Sequence, residues 1–206
     1  MNRRSTLLQF NNGCWDSLFI RFGPEGRELE RFPCRLQVLE QGEMICSTLT
    51  YLESGRTGQM RFLEPPSEMQ ITPEGHWSLG PTQLAAGGWV AEFCLCGGEQ
   101  RRRAVIRHGS GGLESMVLIR EWRSGSTPVT TPPELTLQPA DVNTPALGGL
   151  QAWSWPEEIT LLAMAERLPG QPQLCGLRWH QAGGPPLEIL RRHYASGQLL
   201  PLPQAC

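Results

Sequence analysis

Residues 88–123 limit the fold more than any other stretch. They run GWVAEFCLC, GGEQ, RRRAVIRH, GSGG and LESMVLIREWR. Each apolar-rich run has the length of a strand, and each break holds the glycines of a short turn, so three consecutive antiparallel strands are expected. Such a meander is the building unit of up-and-down barrels. It also holds six of the eighteen arginines, together with two cysteines and two tryptophans.

Further strand-like runs lie at 17–22, 34–39, 44–52, 58–63, 68–71 and 76–79, separated by turn sequences such as GPEG, EQGE and TPEG. Regular short strands of this kind favour a barrel or sandwich over an α/β fold. The segment 7–15 reads either as a helix or as an arm that plugs a barrel end. Residues 126–150, rich in Pro, Thr and Gly, read as a linker or long loop between a first unit, 1–125, and a second, 151–206. The second is either a truncated β unit or a set of strands that closes the first barrel. Within it, 157–168 fits a helix by propensity and a strand by alternation. The turn sequence Arg107-His108-Gly109-Ser110-Gly111-Gly112 is echoed at Arg192-His193-Tyr194-Ala195-Ser196-Gly197.

Composition removes several functions. The chain has no lysine, so a lysine Schiff base, a lysine general base and a P-loop are excluded. Every fixed cation is a guanidinium, which suits bidentate carboxylate contacts. A net charge of −2 gives no long-range attraction to nucleic acid. The N-terminus lacks the apolar core of a secretory signal, and no run approaches the roughly 20 apolar residues of a membrane span. The seven cysteines, at 14, 34, 46, 94, 96, 175 and 206, show no CxxC and no zinc spacing with histidine. Free thiols in a reducing cytoplasm, with no metal site, are expected.

Four-residue turns at 97–100 and 109–112 would place Arg101 opposite Arg120 and Ala104 opposite Val117. Glu92, Cys94, Cys96, Arg101, Arg103, Met116, Leu118, Arg120 and Trp122 would then share a face with more guanidinium than carboxylate. That face is either a solvated exterior or a barrel interior that holds an amphipathic, carboxylate-bearing ligand. Cys94 and Cys96 read either as core filling or as thiols made reactive by the arginines. His108 and His193 read as strand-end structural groups. No nucleophile triad or phosphate loop is present, so catalytic residues stay unassigned.

Several motifs together resemble the lipocalin-like (calycin) proteins of cyanobacteria and chloroplasts, mostly of unknown function, that group with the S-type and T-type phycobiliprotein chromophore lyases. They are Gly13-Cys14-Trp15-Asp16-Ser17-Leu18-Phe19, Phe22-Gly23-Pro24-Glu25-Gly26, Gly75-His76-Trp77-Ser78-Leu79-Gly80-Pro81, Ala91-Glu92-Phe93, Arg101-Arg102-Arg103 and Leu118-Ile119-Arg120-Glu121. Trp179 and Arg191-Arg192-His193-Tyr194 are similar to the family's closing strands. The resemblance implies an all-β, antiparallel up-and-down barrel with a shortened C-terminal β unit. It also implies a phycocyanobilin-type bilin or another lipophilic ligand, held without a covalent cofactor. Glu92, Arg101, Arg103 and Arg120 would hold propionates and control pyrrole protonation, and Trp15 and Trp122 would offer aromatic surface. The expected activity is bilin binding, with chromophore-lyase transfer to phycobiliprotein subunits as its enzymatic form. A non-enzymatic assembly factor and a carrier of another lipophilic molecule are the alternatives.

Overall fold

The computed structural model describes residues 2–85, 87–126, 133–142, 149–155, 159–166, 170–181 and 183–203. One helix, α1 (Arg3–Asn11), precedes β1 (Gly13–Phe22), β2 (Glu28–Gln41), β3 (Met44–Tyr51), β4 (Thr57–Phe62), β5 (Met69–Ile71), β6 (Trp77–Leu79), β7 (Trp89–Gly97), β8 (Gln100–His108) and β9 (Leu113–Arg123). Then come β10 (Pro139–Asp141), β11 (Leu150–Trp155), β12 (Ile159–Met164), β13 (Gln173–Trp179) and β14 (Leu187–His193). The fold is nearly all β. The ambiguous run after residue 157 is a strand over its described part, and the N-terminal segment is a helix.

The first nine strands form one antiparallel sheet in the order β4-β3-β2-β1-β9-β8-β7-β6-β5. Every neighbour in chain order is paired except β4 and β5. This is an up-and-down barrel with one seam left open. Trp15, Leu36 and Ile45 from β1–β3 meet Met69, Ile71, Trp77 and Cys94 from β5–β7 in a single buried cluster. Strands so far apart in the order can share a cluster only if the sheet curls around it. Leu7 of α1 completes the cluster, so the helix plugs the hollow. Its arginines fasten it: Arg3 donates to the carbonyls of Pro66 and Met69, both at 2.6 Å, and Arg4 pairs with Glu40. Phe10 lies against Gly75, where a Cβ would fall 2.3 Å from the ring and where φ is +80°, so only glycine fits.

The other five strands form a second sheet, β10-β11-β12-β13-β14, stacked on the convex side of the first. One core cluster joins Ile20, Phe22, Phe93, Ile106 and Met116 of the first sheet to Trp153, Leu161, Leu177 and Ile189 of the second. This explains why β1 and β8 carry buried side chains on both faces: one face looks into the hollow and the other is covered. The described strands of residues 151–206 therefore form a separate sheet and do not close the barrel. The 126–150 stretch is more than a linker where it is described. Thr136 bridges Arg27, Leu137 is 1% exposed in the core, and β10 forms a sheet edge.

Three buried polar side chains staple the two sheets. Arg191 of β14 donates to the carbonyls of Glu68, at 3.0 Å, and Pro81, at 2.9 Å. The echoed histidines act alike. His108 Nε2 lies 2.9 Å from the Met164 carbonyl, and His193 Nε2 lies 3.0 Å from the Pro81 carbonyl. Trp89 sits beside both rings, stacked on His108 at 4.4 Å and tilted to His193 at 6.2 Å.

Candidate functional site

The register of β7, β8 and β9 decides what faces the hollow. The β7–β8 turn is the expected four-residue turn at 97–100: Gly98, at its centre, adopts φ +64°, and Cys96 faces Arg101 while Glu92 faces Val105. The β8–β9 pairing does not follow expectation. His108 pairs with Leu113 but Arg107 pairs with Ser115, leaving Glu114 as the extra residue of a β-bulge. The one-residue insertion exchanges the faces of β9 beyond it. Arg101 therefore faces Glu121, and Arg102 faces Arg120.

This corrects the expected guanidinium surplus. Arg120 and Trp122 lie on the convex side, away from Arg101 and Arg103. Arg120 is sealed at 1% exposure and Trp122 is half-buried. Glu121 instead enters the hollow. Its carboxylate meets Arg101 Nη2 and Arg103 Nη1, each at 2.8 Å, and accepts from Ser17 Oγ at 3.1 Å. Arg103 also pairs with Glu92. The hollow thus holds two guanidiniums and two carboxylates in one chain. Burial alone would push the Glu121 carboxyl up, but the Arg101 and Arg103 charges outweigh it and hold it below the usual carboxylate range.

The network has a buried end and an accessible end. At the buried end Arg101 lies 3.9 Å over the Trp15 ring, and Arg123 lies 4.3 Å over the same ring. Trp15 is fully buried, so it forms part of the floor and offers no free stacking face. Asn11, at the end of α1, ties the helix to this floor. Its Oδ1 accepts from Trp77 Nε1 at 3.0 Å and Arg101 Nη1 at 3.1 Å. At the accessible end are Arg103 and Glu92, whose side chains keep 11% and 22% of their surface.

An open apolar wall continues from that end. Val105 and Val117 are half-buried on the inner face, and Val90 is exposed. On the far side Phe19, Phe32 and Tyr51 stack in a ladder, with ring centres 5.4 and 5.6 Å apart, and Phe32 and Tyr51 keep solvent-accessible surface. The cavity between the charged network and α1 measures about 80 Å³. A drug-sized ligand needs roughly 300–1,000 Å³. Only one group of such a ligand fits the cavity, and the remainder would lie along the open wall. A larger groove of about 990 Å³ runs between 71–74, β14 and the segment 200–203. Its charged lining side chains are Glu74, Glu188 and Arg192, of which Glu188 pairs with Arg178.

Of the six expected site residues, Glu92, Arg101, Arg103 and Trp15 come together, and Arg120 and Trp122 do not join them. No pattern in the sequence marked Asn11, Ser17 or the aromatic ladder as part of the site. Glu121 was visible as a residue but needed the bulge to reach its place. No group of three or more metal-ligating side chains occurs among the described residues, and no described helix is long and apolar enough to cross a membrane.

The geometry has a close structural counterpart. A protein of unknown function from the DUF3598 family of Nostoc punctiforme superimposes with a TM-score of 0.80 over 97% of this chain and 96% of its own, at 18% identity. That similarity speaks for a common fold. Kievitone hydratase from Nectria haematococca aligns over 95% of this chain and 66% of its own at 10% identity, but with a TM-score of 0.21 it supports no conclusion. No curated protein sequence matches. The sequence profile described as the N-terminal part of the domain of unknown function DUF3598 matches residues 2–126, a span running from α1 through β9 and just beyond it. With more than half of its length inside that profile, the chain belongs to the DUF3598 family.

Proposed function

We propose that this protein binds a flat, conjugated, amphipathic small molecule in the hollow of its first sheet, and that the molecule is a linear tetrapyrrole. One observation carries the reading: a partly accessible Glu92–Arg103 pair stands at the edge of an open apolar wall that also bears a ladder of aromatic rings. A carboxylate-bearing pigment has matching parts. A propionate exchanges with Glu92 for the Arg103 guanidinium, a pyrrole N–H donates to the released Glu92 carboxylate, and the conjugated plane lies against Phe32 and Tyr51. Because Glu121 and Glu92 already balance the two arginines, the ligand competes with an internal carboxylate. This favours moderate affinity, as suits a carrier. The finer form of the proposal is kinship with lipocalin-like chromophore lyases and transfer of the bilin to phycobiliprotein subunits in a reducing cytoplasm. The resemblance of the motifs around Glu92 and Arg101–Arg103 supports it.

Titrating the purified protein with phycocyanobilin and recording absorbance tests the binding. A red shift with increased extinction that weakens in Arg103→Ala supports the proposal. An unchanged spectrum at micromolar protein and pigment rejects it.

A second reading rests on the seam. Among the described residues β4 is an edge strand without a partner on one side, and Met60 within it and Leu63 just after it are each 54% exposed. Such an edge suits strand addition by another protein, as in an assembly factor. Capture of a phycobiliprotein subunit without pigment, abolished by Met60→Arg, would favour this reading.

A further inference from the structure

We infer that Cys94 and Cys96 form an oxidisable dithiol, in which a hydroperoxide oxidises the Cys96 sulfur and Cys94 resolves it into a reversible disulfide within β7. The inference is independent of any ligand in the hollow. The two residues point to the same face, and their sulfurs lie 4.0 Å apart. They are unlike in access. Cys94 is completely enclosed, whereas Cys96 is half-buried at the end of the strand. One attackable sulfur with a sheltered partner in reach is the arrangement that thiol–disulfide chemistry requires.

The surroundings activate the outer thiol. The backbone N–H of Cys96 donates to His76 Nδ1 at 3.1 Å, and Arg101 is its cross-strand partner. A hydrogen bond from Cys94 lowers the Cys96 thiol most. Burial opposes this, while His76 and Arg101 add to it, and the result is about 6. Burial pushes Cys94 the other way, well above the ordinary thiol range. At pH 7 Cys96 is then mostly thiolate, whereas a free cysteine with its pKa of about 8.5 is only a few per cent ionised. Burial also raises Cys34 to about 11 and Cys175 to about 12, so neither competes. Cys14 is half-buried, and its sulfur has Gln37 as a neighbour at 3.4 Å.

The chemistry balances in two steps. The Cys96 thiolate attacks one peroxide oxygen, the O–O bond breaks, and hydroxide leaves and takes up a proton. Cys96 becomes a sulfenic acid. Cys94 then loses its proton and attacks the Cys96 sulfur; the S–O bond breaks, water leaves and the S–S bond forms. Two thiols have given two electrons to one peroxide. The sulfurs must close from 4.0 Å to about 2 Å. Residues two apart on a strand have Cα atoms about 6.6 Å apart, near the upper limit of about 6.8 Å for a disulfide. The Cβ atoms must also approach to about 3.8 Å, so the bond forms with a local shift of the strand end and is strained, and such bonds are readily reduced by thiols. Asn11 Oδ1 lies 3.8 Å from the Cys94 sulfur and 3.7 Å from that of Cys96, so closure also disturbs the residue that anchors α1.

Peptide mass spectrometry of the reduced full-length protein after hydrogen peroxide at pH 7 tests this. The peptide containing Cys94 and Cys96 should lose two hydrogens in the wild type, and dithiothreitol should restore them. Cys94→Ser should instead accumulate a sulfenic acid at Cys96 that dimedone traps, and Cys96→Ser should show neither product. The wild-type measurement needs no variant to fold. The proposal is overturned if Cys14 is oxidised before Cys96, if Cys96 goes directly to the sulfinic acid in the wild type, or if folded Cys94→Ser yields no dimedone adduct.

Discussion

Arg101 faces Glu121 across β8 and β9, with Arg101 Nη2 2.8 Å from Glu121 Oε2 and both side chains at or below 1% exposure. Two arginines converge on this one sealed carboxylate. Removing one partner of a buried ion pair leaves an uncompensated charge and typically costs about 3–5 kcal/mol. Glu121→Gln should therefore lower the urea midpoint by that much stability without changing the slope of the transition. Glu92→Gln should cost far less, because Glu92 is partly solvated and its arginine keeps Glu121. Equal stability of the two variants would contradict the assignment of Glu121 as the keystone.

Acid should unfold the protein in two stages. Burial and, to a lesser degree, Arg191 hold the His193 ring below the ordinary histidine value, while its bond to the Pro81 carbonyl opposes them. The unfolded chain then takes up a proton the fold resists, so this contribution is present above about pH 6.5 and is lost as pH falls through the folded value. Glu121 is also depressed, and its contribution is present above the unfolded glutamate value of about 4.3 and lost below it. Stability measured by thermal melts should decline first below about pH 6.5 and again below about 4.3. His193→Gln should remove the first decline and leave the second. If His193→Gln leaves the upper stage intact, the ring is not its source.

The bulge at Glu114 sets which side chains of β9 enter the hollow. If Glu114 paired with Arg107 instead of bulging out, the ladder that starts at His108–Leu113 would run on to place Arg120 opposite Arg101. That pairing would bury like charges side by side and turn Met116 and Leu118 out of the inter-sheet core. Deleting Glu114 removes the extra residue and runs His108–Leu113 straight on to Arg107–Ser115, so the deletion variant should keep Glu121 opposite Arg101 and show a native near-ultraviolet circular dichroism spectrum. Glu114→Ala keeps the residue count and should fold with nearly wild-type stability, since the Glu114 side chain is exposed. An unfolded deletion variant would mean that the bulge itself, held by contacts outside the hairpin, is needed to fix the register.

Those outside contacts show why the sequence carried the fold further than the site. Alternation and glycine turns locate the β7–β8 hairpin because its turn is local, with Gly98 supplying the positive φ. The β8–β9 turn is not local. Gly112 bridges Glu166, Leu113 donates to the Ala165 carbonyl at 3.1 Å, and a Cβ on Gly112 would fall 2.3 Å from that carbonyl. A segment more than fifty residues away pins the strand end, and no pattern within 107–115 encodes that. A single residue of slip then moved Glu121, Arg120 and Trp122 to the wrong faces. Asn11 escaped notice for a similar reason: its role depends on where α1 lies against β7 and β8, and an asparagine at a helix end reads only as a stop signal. Leu137, within a Pro- and Thr-rich stretch, is buried because the second sheet passes over it, which composition does not reveal.

The two faces of β9 also provide a direct test of where a pigment sits. If the bilin lies in the hollow, Arg103→Ala removes the guanidinium at the accessible end of the charge network, and affinity should fall at least about tenfold, the weight of one charge-assisted hydrogen bond. Phe32→Ala removes a ring of the aromatic ladder and should weaken binding about fivefold, equivalent to roughly 1 kcal/mol of stacking. Trp122→Phe alters an aromatic on the convex side, opposite Gln100 and Asp16, and should leave the affinity unchanged. Absorbance titrations with phycocyanobilin measure all three on folded protein. The pattern matters more than any one value. A loss for Trp122→Phe as large as that for Arg103→Ala would move the binding site to the convex side, and the balanced charge network of the hollow would then be purely architectural.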